Sequence, residues 1–123
     1  MIEALVIDDN RSLADMMVMM LDMLGVSGLA VYGSRSALMA LEENVPDVVF
    51  LDINMPSVDG FEVLSYIRRS PGSQKIPVIV VTSDDQPETA NRAKVLGAVS
   101  LVVKPVTIEI LENALKHAGV LEE

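Results

Sequence analysis

Apolar residues in this chain come in short blocks: ALVI at 4–7, LAVY at 29–32, VVFL at 48–51, VIVV at 78–81 and LVV at 101–103. Each block has the length of a strand and is rich in β-branched residues. Continuous apolar character without alternation marks strands covered on both faces. Between the blocks the spacing turns helical. It predicts a helix over about residues 12–24 stopped by Gly25, a second over about 35–43, and a third from Gly60 to about residue 69. A fourth helix follows Pro87, a residue tolerated in a first turn, and has Gly97 as its C-cap; a fifth follows Pro105. Strand alternating with helix implies right-handed crossovers and a parallel sheet, a doubly wound (βα)5 chain of the α/β class.

The polar residues that end these blocks narrow the topology. Four blocks run directly into Asp8, Asp52, Thr82 and Lys104, whereas the second ends on Gly33. Open parallel sheets bind ligands beyond the carboxyl ends of their strands. Of the two common doubly wound orders, 3-2-1-4-5 and 2-1-3-4-5, only the second makes strands 1, 3, 4 and 5 contiguous. If the four ends form one site, the sheet has the flavodoxin-like order 2-1-3-4-5. Its crevice between strands 1 and 3 then holds Asp8, Asp9 and Asp52.

Length and composition bound the rest. With 123 residues, the chain reads as one domain over 1–123, with no output domain beyond the fifth helix. Half of it is apolar and its mean hydropathy is +0.40, yet no uncharged apolar stretch approaches the ~18 residues of a membrane span. Asp8 and Asp9 interrupt the first apolar block, so no cleavable signal is visible, and the expected location is the cytoplasm. The absence of cysteine excludes disulfides and thiolate metal sites. A net charge of −9 argues against nucleic acid as a partner and for divalent cations and basic surfaces.

Three carboxylates in one crevice repel each other by about 4 kcal/mol per pair at ~4 Å and an effective dielectric near 20. An all-oxygen, partly hydrated site of this kind suits Mg²⁺, and Lys104 supplies a second positive charge. So screened, Asp52 can attack a phosphoryl donor while Thr82 and Lys104 hold the transferred oxygens. Taken singly, each residue has a plainer account. Asp8 or Asp9 can cap a helix, Thr82 can bond its own loop, and Lys104 can be a solvated charge. Their joint placement at strand ends is what the plainer accounts leave unexplained.

The strings LVIDDN, VVFLDINMPSVDGFEVL, VIVVTSDD and LGAVSLVVKP occur in this order along essentially the whole chain. In this respect the chain resembles the receiver domain of bacterial two-component response regulators, the CheY-like family. The resemblance implies that Asp52 takes a phosphoryl group, as 4-aspartylphosphate, from a histidine kinase or histidine phosphotransfer protein. It implies that Asp9, Asp52 and the main-chain carbonyl of Asn54 bind Mg²⁺, with Asp8 acting through a metal water. It also implies a cis peptide between Lys104 and Pro105, and a signalling module whose only chemistry is its own phosphorylation and dephosphorylation. Asn54 and Asp84, two residues beyond Asp52 and Thr82, correspond to positions that influence autodephosphorylation. One departure stands out: where many receivers carry Tyr or Phe three residues before the lysine, this chain has Leu101.

Five methionines crowd the first helix. Leu13, Met17, Met20 and Leu24 form one stripe, read as core. Met16, Met19 and Met23 form a second, read either as an extension of a wide core face or as a docking surface for the kinase's helical bundle. His117 reads as a surface residue, and Gly60 as turn and helix-start chemistry. Two other readings stay open: a receiver excised from a larger transcriptional regulator, and a phosphatase of the haloacid dehalogenase type. The latter places its nucleophile after its first strand with a second Asp two residues on, where this chain has Asn54.

Overall fold

The computed structural model describes residues 1–55 and 59–122, so residues 56–58 of the DINMPSVDG motif lie outside the described residues. Five strands, β1 (Glu3–Ile7), β2 (Ser27–Val31), β3 (Val48–Asp52), β4 (Val78–Thr82) and β5 (Ser100–Val103), alternate with five helices. The helices are α1 (Arg11–Met23), α2 (Ser34–Glu43), α3 (Gly60–Arg69), α4 (Pro87–Val95) and α5 (Ile108–His117). All strand pairs are parallel, in the order β2-β1-β3-β4-β5. This is the flavodoxin-like arrangement inferred from the polar strand ends.

Alternating strand side chains divide the core into two layers. Leu5, Ile7, Val49, Leu51, Val78 and Val80 meet Ala37, Leu41, Phe61, Leu64 and Ile67 on the side of α2 and α3. Ala4, Val6, Val48, Phe50, Ile79 and Val81 meet Ala14, Met17, Leu21, Leu111 and Leu115 on the side of α1 and α5. Every residue of β3 and β4 is buried, which accounts for their continuous apolar sequence, while the edge strand β2 has no fully buried residue. Local chemistry sets the helix starts. The side chains of Asn10, Asp59 and Thr107 accept from the N–H groups of Leu13, Phe61 and Ile110. Gly25 and Gly97 take φ of 79° and 104° just past the ends of α1 and α4, a conformation that favours glycine.

Two sequence expectations need correction. The second strand begins at Ser27, two residues before the apolar block, and ends before Tyr32. Pairing with β1 carries it there, from Glu3 opposite Ser27 to Ile7 opposite Val31, and an edge strand tolerates Ser27 and Gly28. In α1 the buried line is Ala14, Met17 and Leu21, whereas Leu13, Met20 and Leu24 are only partly buried. Small residues explain the rotation. Ala14 lets the helix lie close to the sheet, and a Cβ on Gly28 would stand 3.2 Å from Val18 Cγ2.

Candidate functional site

The register brings the polar strand ends to one rim. Ile7 lies opposite Leu51, Asp52 opposite Val81, and Thr82 opposite Val103. Asp8, Asp52, Thr82 and Lys104 therefore emerge side by side at the carboxyl edge. Asp8 and Asp52 continue the α1/α5 side of their strands and are buried, at 1% and 3% exposure. Lys104 Nζ lies 3.5 Å from Asp8 Oδ2 and 3.6 Å from Asp52 Oδ2, bridging the two carboxylates. The Lys104–Pro105 peptide is cis. Asp9 is exposed, and one carboxylate oxygen from each of Asp8, Asp9 and Asp52 falls within 4.8 Å of the others.

Main-chain donors orient the two buried acids. The N–H of Asn10 donates to Asp8 Oδ1 and that of Asn54 donates to Asp52 Oδ1, each at 2.9 Å. Asp8 Oδ2 is buried and, apart from the Lys104 ammonium at 3.5 Å, has no hydrogen-bond partner among the described residues. Burial is the main reason that the Asp8 carboxyl is pushed above the usual carboxylate range, and Asp52 adds to the rise. The Asn10 N–H and Lys104 pull the other way. An orphaned buried oxygen, an all-oxygen donor set and clustered negative charge fit a hard divalent cation such as Mg²⁺.

Thr82 is fully buried but its hydroxyl turns elsewhere. It donates to Asn54 Oδ1 at 2.5 Å and accepts from the Asp84 N–H at 3.0 Å. Along β4, Thr82 shares parity with Val78 and Val80, on the side opposite Ile79 and Val81, so its Cβ projects on the α3 side of the sheet. Asp84 is committed to the start of α4, accepting from the Gln86 N–H at 2.9 Å and from the Thr89 hydroxyl at 2.5 Å. Those two bonds, the Thr89 one foremost, hold its carboxyl below the usual range.

Sequence reasoning missed two features. It gave Asn54 a main-chain metal role and an influence on autodephosphorylation, but not the side-chain bond that makes Asn54 the partner of Thr82. It read Gly60 correctly as turn and helix-start chemistry, since α3 begins there, but not the close packing behind that start. In the fold, a Cβ there would fall inside contact distance of Ile53 Cα and 2.9 Å from Asp52 O, so Gly60 lets α3 start against the strand end that carries Asp52. A glycine directly after an N-cap acid was the available signal.

On the side of α1 and Pro105 the surface beside the carboxylates is apolar. A cavity of about 390 Å³ beside Asp8 and Lys104 is walled by Leu13, Met16, Met17, Met20, Pro105 and Val106. Met16, Met19 and Met23 are 48%, 68% and 73% exposed, so the second methionine stripe is not core. Leu101 packs partly buried at the base of a groove of about 440 Å³ between α4 and β5, with the exposed His117 at its rim. Among the described residues no helix is long and apolar enough to cross a membrane.

Comparison with known proteins agrees with this geometry. Residues 4–116 match the family model described as the response regulator receiver domain. A Vibrio cholerae protein described as a probable cyclic di-GMP phosphodiesterase is 41% identical over 93 residues, covering 70% of this chain and 21% of that protein. The CAI-1 autoinducer sensor kinase/phosphatase CqsS of Vibrio cholerae is 33% identical over 110 residues, covering 89% of this chain and 16% of that protein. The chain thus spans about a fifth or less of the length of these two relatives. The chemotaxis protein CheY4 of Vibrio cholerae superposes with a TM-score of 0.91 at 29% identity, covering 96% of this chain and 98% of that one. Fold, strand-end chemistry and sequence match together make this chain a member of the response regulator receiver domain family of two-component systems.

Proposed function

We propose that Asp52 accepts a phosphoryl group from a phosphohistidine of a histidine kinase or histidine phosphotransfer protein, and that a partner protein reads the aspartyl phosphate. The observation that carries this reading is the Lys104 ammonium lying within 3.6 Å of two buried carboxylates at the sheet's carboxyl edge. In the transfer, an Asp52 carboxylate oxygen attacks phosphorus, the P–N bond breaks, and its electron pair leaves with the imidazole. Lys104 neutralises the charge on the equatorial oxygens. Asp8, Asp9, Asp52 and the main-chain carbonyl of Asn54 would hold Mg²⁺, which when bound offsets the remaining negative charge. The Thr82 hydroxyl leaves Asn54 Oδ1 and donates to a phosphoryl oxygen, while Asn54 governs how water reaches the acyl phosphate.

The donor approaches over α1. The apolar cavity beside Asp8 and Lys104 opens between α1 and the Pro105 segment, and Met16, Met19 and Met23 extend the apolar surface outward. A helix carrying the phosphohistidine, with apolar neighbours at helical spacing, matches this surface. Asp52 ends the third strand and not the first, which is unlike the phosphatase arrangement.

Phosphotransfer profiling against phosphorylated histidine kinases tests the reading, with Asp52→Asn as control. One or a few donors should label the wild type and none the variant; labelling of Asp52→Asn would overturn it. Met19→Lys should slow transfer from the donor kinase while labelling by phosphoramidate continues. Equal losses with both donors would defeat docking through α1.

A further inference from the structure

We propose that the exposed methionine stripe of α1 is a reversible oxidation site, at which a peroxide-class oxidant turns off phosphotransfer to Asp52. The proposal rests on the α1 docking surface described above. It adds a chemical modification that the docking reading does not require.

Eight methionines and no cysteine make thioethers the only sulfur in this chain, so no thiol competes for an oxidant. Their exposure is unequal. Met17 and Met55 are buried at 4% and 6%, whereas Met16, Met19 and Met23 are 48%, 68% and 73% exposed. These three stand three and seven residues apart, on one face of α1 over two turns. Met16 also walls the cavity that reaches Asp8 and Lys104. Met20, partly buried, walls the same cavity, so oxidisable sulfur is concentrated on the surface that meets the phosphodonor, and the core sulfurs of Met17 and Met55 are shielded. Met1 and Met39 are exposed at 97% and 56% but lie off this face, which makes them internal controls.

The step is a two-electron oxidation. A sulfur lone pair attacks one peroxide oxygen, the O–O bond breaks and an S–O bond forms. The second oxygen leaves as water after taking a proton, so the thioether is oxidised to sulfoxide and hydrogen peroxide is reduced to water. The product replaces a deformable apolar atom with a strong hydrogen-bond acceptor. An apolar partner helix then has to bury that oxygen without a donor, which weakens docking about tenfold per sulfoxide so buried. Methionine sulfoxide reductases return the thioether, which makes the change reversible.

The test treats the folded protein with graded hydrogen peroxide and maps sulfoxides by peptide mass spectrometry. Transfer is then measured from the kinase that profiling identifies and from phosphoramidate. Oxidation should appear at Met16, Met19 and Met23 before Met17 and Met55. Kinase transfer should fall by about tenfold or more while phosphoramidate labelling changes by less than about twofold, and sulfoxide reductase should restore transfer. A Met16→Leu/Met19→Leu/Met23→Leu variant, compared with its own untreated rate, should be insensitive to peroxide, and Met39→Leu should remain as sensitive as wild type. The proposal is overturned if full oxidation of the stripe leaves kinase transfer intact, if both donors fail together, or if the leucine variant loses transfer as wild type does. A Met19→Lys variant that transfers normally defeats the docking reading itself. Slowed transfer in Met19→Lys alongside normal transfer in oxidised wild type defeats the oxidation proposal alone.

Discussion

Replacing Asp52 with asparagine removes a charge but hardly changes shape, and the electrostatics of the rim predict an effect on stability whose sign depends on Mg²⁺. The amide oxygen can keep the bond from the Asn54 N–H that Asp52 Oδ1 now accepts at 2.9 Å. Without metal, Asp52 faces Asp8 at up to 4.8 Å, a repulsion of at least about 3.5 kcal/mol at an effective dielectric of ~20. Asp9 stands at a similar distance, but its exposure cuts its share to about 1–2 kcal/mol. Lys104 at 3.6 Å returns about 4.5 kcal/mol. Attraction and repulsion nearly cancel, leaving the desolvation of a carboxylate at 3% exposure as the deciding cost. Relief of that cost should make Asp52→Asn more stable than wild type by about 2 kcal/mol in EDTA. For a domain of this size, that is a rise in Tm of roughly 8 °C. At millimolar Mg²⁺ the ranking should narrow or invert, because only the wild type keeps all three carboxylates for the cation.

The pH dependence carries the same signature. Asp8 has a folded pKa raised above its unfolded value, so its contribution to stability is present at low pH and lost as pH rises through the folded pKa. Asp52 is one cause of that rise, so the loss should be shallower in Asp52→Asn. Thermal unfolding followed by circular dichroism, with and without MgCl₂ across pH, reads all three effects. A variant that melts below wild type in EDTA, or a ranking indifferent to Mg²⁺, would refute the reasoning.

Three further outcomes are expected. Gly60→Ala forces a Cβ against Ile53 Cα and Asp52 O, and should cost about 3 kcal/mol in urea unfolding; an unchanged midpoint would mean that α3 moves away freely. Asp84, whose pKa is depressed chiefly by the Thr89 hydroxyl, stabilises the fold above its unfolded pKa and loses that contribution as pH falls through its folded pKa. Thr89→Val should therefore move the Asp84 carboxyl titration upward by NMR. Asn54→Ala frees the Thr82 hydroxyl and unblocks the rim, so the lifetime of the aspartyl phosphate should change several-fold, read by decay of the labelled protein.

Much of this molecule was legible in the chain itself. Apolar blocks that do not alternate mark strands covered twice, as β3 and β4 are and the edge strands β2 and β5 are not, and helical spacing between them leaves a parallel doubly wound sheet as the economical solution. Even the strand order followed, because Asp8, Asp52, Thr82 and Lys104 meet only if strand 2 lies at the edge. What tertiary structure alone decided is where side chains point once those segments meet. Strand parity and the rim loops engage the Thr82 hydroxyl with the Asn54 side chain. The rotation of α1 is set by Ala14 and Gly28, which govern how closely helix and sheet approach. It puts Met17 and Leu21 inside and leaves Met16, Met19 and Met23 to solvent. Periodicity is a local property written into neighbouring residues. The partner of a hydroxyl, or the buried face of a helix, depends on atoms dozens of positions away and on packing that only the assembled layers impose.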